Sequence, residues 1–135
     1  MNTLQQQISI QIFSYCELND LLIFESISSD VKKLIRSQPW PHLIVKVKND
    51  IKLIEYVINN YSFVNYDLSG CNKITDESIS KLINCHTLDL SWCKQITDAS
   101  VSKLGNCHTL DLNYCDQITV SMKEKLGKTV KKLLG

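Results

Sequence analysis

The sequence predicts an α/β protein: a helical N-terminal segment, then a short repeat solenoid with parallel strands on one face and helices on the other. Two observations predict the solenoid. Asp67-Leu68-Ser69, Asp89-Leu90-Ser91 and Asp111-Leu112-Asn113 stand 22 residues apart, as do Cys71, Cys93 and Cys115, and residues 66–87 agree with 88–109 at 15 of 22 positions. A short fixed period that carries an L-x-L strand marks stacked units, none of which buries its own apolar face alone. The third observation is that residues 1–43 lack the repeat and carry apolar residues at helical spacing instead. Such a chain works by presenting a surface, so partners are expected before substrates.

Composition narrows the function classes. The 135 residues are 44% hydrophobic with a net charge of +1, which gives no global attraction to nucleic acid or membrane. No run approaches the ~18 consecutive apolar residues of a membrane span. The opening Met1-Asn2-Thr3-Leu4-Gln5-Gln6-Gln7 lacks the basic and apolar regions of a secretory signal, so a cytoplasmic or nuclear location is expected. Lysine outnumbers arginine 14 to 1 and Ala99 is the single alanine, a bias associated with AT-rich coding sequence. Of six cysteines, only Cys16 falls outside the repeat. Stacking brings equivalent cysteines to about 5 Å, within bridging range. Without a secretory signal the expectation is free, buried thiols.

Taken in order, the first helix places Leu4, Ile8, Ile12 and Tyr15 on one stripe of a 3.6-residue period. Asn19 is the expected N-cap of a second helix running through Leu21, Leu22, Phe24 and Ile27. Ser28-Ser29-Asp30 caps a third that buries Val31, Leu34 and Ile35, and Gln38-Pro39-Trp40-Pro41 ends it, because proline disfavours helix in the residue before it. Ile44 to Val47 alternates as a strand, residues 50–59 have helical spacing, and Phe63 to Leu68 reads as the next strand. Val45 and Val47 precede Tyr66 and Leu68 by 21 residues, so a degenerate first repeat spans 44–65.

Regular repeats cover 66–119. In each, Leu88/Leu90 or Leu110/Leu112 points inward while the intervening residues face outward. Thr75, Thr97 and Thr119 each N-cap a short helix, with Asp76 and Asp98 in the first turn, where the helix dipole favours a carboxylate. After Thr119 the pattern decays. Met122, Leu126, Val130 and Leu133 keep helical spacing, and residues 120–135 are expected to form an amphipathic capping helix whose lysines are solvated.

Three polar columns follow from strand alternation: Asp67, Asp89 and Asp111; Thr87 and Thr109 with Asn65; and Ser69, Ser91 and Asn113. The aspartates either grip a basic segment of a partner or are simply copied with the repeat. His86 and His108 follow Cys85 and Cys107 and are expected at buried loop positions, since zinc sites use tighter ligand pairs. Cysteine, histidine and aspartate all recur as copies, whereas a catalytic site would assemble unique residues around one pocket. No catalytic residue, metal or cofactor is therefore expected. No Gly-rich phosphate loop occurs among the four glycines, and no aromatic-basic interleaving suggests nucleic acid.

The stretch Leu88-x-Leu90-x-x-Cys93-x-x-Ile96-Thr97-Asp98, followed by Leu104 and Cys107, resembles the cysteine-containing class of leucine-rich repeats. From the second cysteine to the strand it is shorter than the usual form. Residues 1–43 resemble an F-box. Leu4-Gln5-Gln6-Gln7-Ile8 stands for the Leu-Pro-x-Glu opening, Ile12-Phe13-Ser14-Tyr15 for the Ile-Phe-Ser-Tyr stretch, and Asp20-Leu21 for the Asp-Leu pair. Ile27-Ser28 and Trp40-x-x-Leu43 match the remaining Val-Ser and Trp-x-x-Leu. Gln5 replaces the family's proline, Gln7 its acid and Val31 its tryptophan. The resemblance implies a substrate receptor of an SCF-type ubiquitin ligase, itself without catalytic groups. Leu4, Gln5, Ile8, Ile12, Leu21 and Ile27 would meet the small adaptor subunit and, through it, the cullin. Asp67, Ser69, Thr87, Asp89, Ser91, Thr109, Asp111 and Asn113 would form the target-binding concave face. The alternatives are a stand-alone repeat module and a decoy that occupies the adaptor without delivering a target.

Overall fold

The computed structural model describes residues 3–13 and 16–135. Tyr15, expected on the stripe of the first helix, and Ser14 of the F-box-like match lie outside them. Three helices, α1 (Thr3–Phe13), α2 (Leu18–Phe24) and α3 (Ser29–Ser37), precede strand β1 (Val45–Lys46) and helix α4 (Ile51–Asn60). Strand and helix then alternate: β2 (Asn65–Asp67), α5 (Asp76–Ser80), β3 (Thr87–Asp89), α6 (Asp98–Val101), β4 (Thr109–Asp111), α7 (Val120–Leu126) and β5 (Lys132–Leu134). The strands form one parallel sheet in the order β1-β2-β3-β4-β5.

The N-terminal helices end and begin for local reasons. The Ser28 hydroxyl accepts from the Val31 N–H at 3.2 Å and caps α3 as expected. The second helix starts two residues earlier than the sequence suggested. Its N-cap is Glu17 rather than Asn19, because the Asp20 carboxylate turns back to accept from the Glu17 N–H at 3.0 Å. Trp40 closes the segment. It is 2% exposed, and its indole N–H donates to the Ile35 carbonyl at 2.8 Å.

Register in the sheet carries the repeat. Val45 pairs with Tyr66, Tyr66 with Leu88, Leu88 with Leu110 and Leu110 with Leu133. The expected 21-residue offset of the degenerate first repeat is the actual β1–β2 register. Leu68, Leu88, Leu90, Leu110 and Leu112 are all 0% exposed. They belong to one hydrophobic core that runs from Phe13 to Val130, so the N-terminal helices share their core with the repeats rather than forming a separate one.

The C-terminal segment differs from expectation. The capping helix over 120–135 is instead a seven-residue helix, α7, and a fifth strand. Met122, Leu126, Val130 and Leu133 satisfy either arrangement on spacing alone, and strand pairing decides. A helix there would leave the outer polar groups of β4 unpaired. As a strand, Lys132 donates its N–H to the His108 carbonyl at 2.9 Å, and Leu112 donates to the Leu134 carbonyl at 2.7 Å.

Helices α5 and α6 are also bolted to the next repeat. The threonine hydroxyls cap α5, α6 and α7 as expected, accepting from the N–H groups of Ser78, Ala99 and Met122. The aspartates after Thr75 and Thr97 do more than face the helix dipole. Asp76 accepts from the Thr97 N–H at 3.1 Å and its hydroxyl at 2.8 Å, and Asp98 accepts from Thr119 at 2.9 and 2.6 Å. Burial alone would raise the Asp76 carboxyl, but the Thr97 hydrogen bonds hold it below the usual carboxylate value. Val120 occupies the corresponding place after Thr119, so the staple is not repeated there. Asp98→Ala is expected to lower stability by about 2 kcal/mol, as charge-assisted hydrogen bonds are lost. Comparing its urea midpoint with that of Asp98→Asn, which keeps one acceptor oxygen, measures the staple.

Candidate functional site

Two surfaces collect the candidate residues: the outer side of α1 and α2, and the open face of the sheet. On α1, Phe13 is buried and stacks on Phe24 at 5.3 Å, with Ile10 packed against the core. This turns the predicted stripe outward: Leu4 is 64% exposed, Ile8 49% and Ile12 58%. Gln5 is exposed beside them, and Ile27 joins at 65%. Leu21 does not belong to this set. It is 0% exposed, because the start of α2 packs that face into the shared core. Ile23, 66% exposed, lies on the outer side and was missed, since spacing alone does not say which face of a short apolar helix turns inward.

The sheet face assembles as register demands. Asp67, Asp89 and Asp111 pair laterally, as do Thr87 and Thr109. All eight residues expected on this face are half-buried. Like charges on adjacent strands repel, and the structure tempers this by binding each carboxylate into its own turn. Asp89 accepts from the Ser91 N–H at 2.9 Å, while Asp111 accepts from the Asn113 N–H and side-chain amide, both at 2.9 Å. Asp67 takes the Ser69 hydroxyl at 2.8 Å and lies 3.5 Å from the Lys46 ammonium. Burial would raise Asp67, but these donors and the nearby cation hold it below the usual carboxylate value. The third column is therefore what anchors the first. Asn65 leaves the threonine column: it is buried, and its amide donates to the Pro41 carbonyl at 2.7 Å, tying β2 to the end of the helical segment.

Just past the C-terminal ends of β3 and β4 stands an aromatic pair that the sequence reading passed over. Trp92 and Tyr114 are 51% and 59% exposed, and their rings stack at 4.0 Å. The Lys94 ammonium lies 5.6 Å from the indole centroid. Both residues adopt positive φ, +64° and +59°, at the register position where the preceding repeat has Gly70 at +68°. That conformation costs a non-glycine residue free energy. The available signal was a bulky residue standing where the repeat elsewhere uses glycine.

The histidines and cysteines separate into distinct roles. His86 and His108 are not buried: His86 is exposed and His108 half-exposed, with rings stacked at 4.5 Å. Their cysteine neighbours take the inward position, and extended chain sends the next side chain the other way. Cys71, Cys93 and Cys115 donate their thiols to the carbonyls of Val47, Leu68 and Leu90 at 3.1–3.2 Å. Burial pushes the Cys93 thiol up to about 12. Cys85 and Cys107 instead face each other, with sulfurs 3.2 Å apart.

A second cluster holds the N-terminal helices to the repeats. Arg36 donates to Glu25 at 3.0 and 3.4 Å, to Asn60 at 2.9 Å and to the Tyr56 hydroxyl at 2.8 Å, and Tyr56 donates on to Glu25 at 2.7 Å. Among the described residues no helix is long and apolar enough to cross a membrane.

No curated protein matches the chain. The Leucine Rich repeat family description matches residues 67–82 and 86–105, from the end of β2 to just past α6. With its parallel strands, inward leucines and 22-residue register, the chain carries leucine-rich repeats across residues 67–105.

Proposed function

We propose that the chain is the substrate receptor of an SCF-type ubiquitin ligase, docking on the adaptor subunit through α1 and α2 and holding a target protein on the open face of its repeats. The observation that carries this reading is the stripe of Leu4, Ile8 and Ile12, with Ile23 and Ile27, which the chain's own core leaves uncovered. A helix face of this kind docks into an apolar groove of a partner, and it lies within the segment that resembles an F-box. The receptor needs no catalytic group and no cofactor of its own. It works where the ligase works, in the cytoplasm or nucleus. The Asp, Thr and Ser/Asn columns form the target surface, and Trp92 and Tyr114 add a rigid aromatic anchor of the type enriched at binding hot spots. The repeat segment that matches the family supports a protein-binding module.

The test is binding of the purified chain to purified adaptor, alone and with cullin. Wild type is expected to bind, and Ile8→Glu with Ile12→Glu to weaken binding by about 100-fold or more while leaving thermal unfolding unchanged, since both side chains are exposed. Absence of wild-type binding, with Gln5→Pro failing to restore it, overturns the ligase reading. A second reading, a repeat module that binds its partner without a ligase, is favoured by the family match falling wholly on the repeats. Capture of adaptor but no target protein would instead indicate a decoy.

A further inference from the structure

The five repeat cysteines occupy two registers with different chemistry. In one, Cys71, Cys93 and Cys115 are each committed to a carbonyl of the preceding repeat. In the other, no side-chain bond from Cys85 or Cys107 to a carbonyl is seen among the described residues, and the two sulfurs face each other at 3.2 Å within the core. The same register is filled by buried Phe63 on one side and buried Val130 on the other, so this is an apolar column into which two facing thiols have been set.

The backbone is already arranged for a covalent link. His108 and Thr109 both donate to the His86 carbonyl, at 2.9 and 3.0 Å, which fixes the two chains side by side just after the cysteines. Adjacent parallel strands lie ~4.8 Å apart, inside the Cα separation that disulfides use. The sulfurs, 3.2 Å apart, need to close by about 1 Å to reach bonding distance.

The pair also has an entrance. A surface cavity of about 230 Å³ is lined by Cys85, with Lys81 and Asn84 beside it and Tyr61, Phe63 and Tyr66 among its walls. Hydrogen peroxide is little larger than water and fits such a space. Cys107 does not line the cavity, so the two thiols are inequivalent: one meets what enters, and the other waits behind it.

We propose that Cys85 and Cys107 form a peroxide-reactive dithiol, a modification site at which a small hydroperoxide converts the pair into a disulfide linking adjacent repeats. The Cys85 sulfur, as thiolate, attacks one peroxide oxygen. An S–O bond forms, the O–O bond breaks, and the leaving hydroxide takes up the thiol proton to become water. The Cys107 sulfur then attacks the Cys85 sulfenic acid. The S–S bond forms, the S–O bond breaks, and the departing hydroxide takes the Cys107 proton as a second water. Two thiols and one peroxide thus give one disulfide and two waters, with two electrons passing from sulfur to oxygen. The shared S–H···S contact, with burial, raises Cys85, while accepting it lowers Cys107, so the first step is slow and the second favoured. The product cross-links residues 22 positions apart where β3 and β4 begin, beneath the stacked histidines. This site is independent of the adaptor and target surfaces.

The experiment treats the reduced, folded full chain with hydrogen peroxide, quenches it, unfolds it and alkylates the remaining thiols. The expected result is loss of alkylation at Cys85 and Cys107 together, a peptide map joining the two, and four cysteines still alkylated. The thermal midpoint should rise by about 5–10 °C and return on adding dithiothreitol. Cys107→Val places in this register the residue that position 130 already carries. It should abolish the cross-link and leave a Cys85 sulfenic acid trappable by dimedone. A disulfide mapped to another pair, or Cys85 and Cys107 still fully alkylatable after prolonged exposure, overturns the proposal. So does an unchanged cross-linked fraction in Cys107→Val.

Discussion

Leu90→Ala is expected to destabilise the protein by about 3–5 kcal/mol, the upper part of the range for deleting a fully buried leucine. Leu90 is 0% exposed and lies between Leu68 and Leu112, also at 0%, in the adjacent repeats. A cavity there opens between stacked units and cannot collapse without shifting the strands on both sides. Because the N-terminal helices share this core, the loss should appear as one cooperative shift of the urea midpoint rather than fraying of one end. Asp89→Ala, one residue away, should cost only about 1 kcal/mol, the worth of one turn-closing hydrogen bond to Ser91. Equal losses from the two substitutions would make the aspartate column structural and remove it from the proposed target surface.

Arg36→Ala is expected to cost about 2 kcal/mol, between the values for exposed and buried pairs, since the contact is part-buried and the Glu25 side chain, 10% exposed, loses its guanidinium but keeps the Tyr56 hydroxyl. The pH dependence identifies the cause. Burial would raise Glu25, but hydrogen bonds from Arg36 and Tyr56 and the Arg36 charge outweigh it and lower Glu25 to about 2. A carboxyl lowered on folding contributes stability that is complete above its unfolded value of about 4.3 and lost as pH falls through the folded value. Wild type should therefore lose this contribution between about pH 4.5 and 2. In Arg36→Ala the stranded carboxylate is relieved by protonation instead, so the gap between the two proteins should narrow over that interval. A gap independent of pH would mean that Arg36 acts through packing on Tyr56 and Tyr61, whose rings lie 5.8 and 5.5 Å away.

The repeat was legible because a parallel sheet with a constant connection length writes its register directly into the sequence. The leucines, the threonine caps and the Asp column are each set by period and strand alternation and appear where expected, while the Thr column loses Asn65, which is buried against Pro41. The F-box-like helices were legible as helices, but not in their facing. Leu21 and Ile23 are two residues apart in one helix, yet one is fully buried and the other largely exposed. Tertiary packing chose between them.

The sequence by itself determined the strand–helix alternation of the repeats and the strand residues that point inward, since these follow from local periodicity and caps. Only the tertiary structure decided that residues 132–134 complete the sheet and that Arg36 locks the helices to the repeats. It also decided that Trp92 and Tyr114 stack outside. These depend on which unpaired backbone, stranded charge or neighbouring side chain each group finds after the repeats stack, and that is a property of the stack rather than of any one repeat.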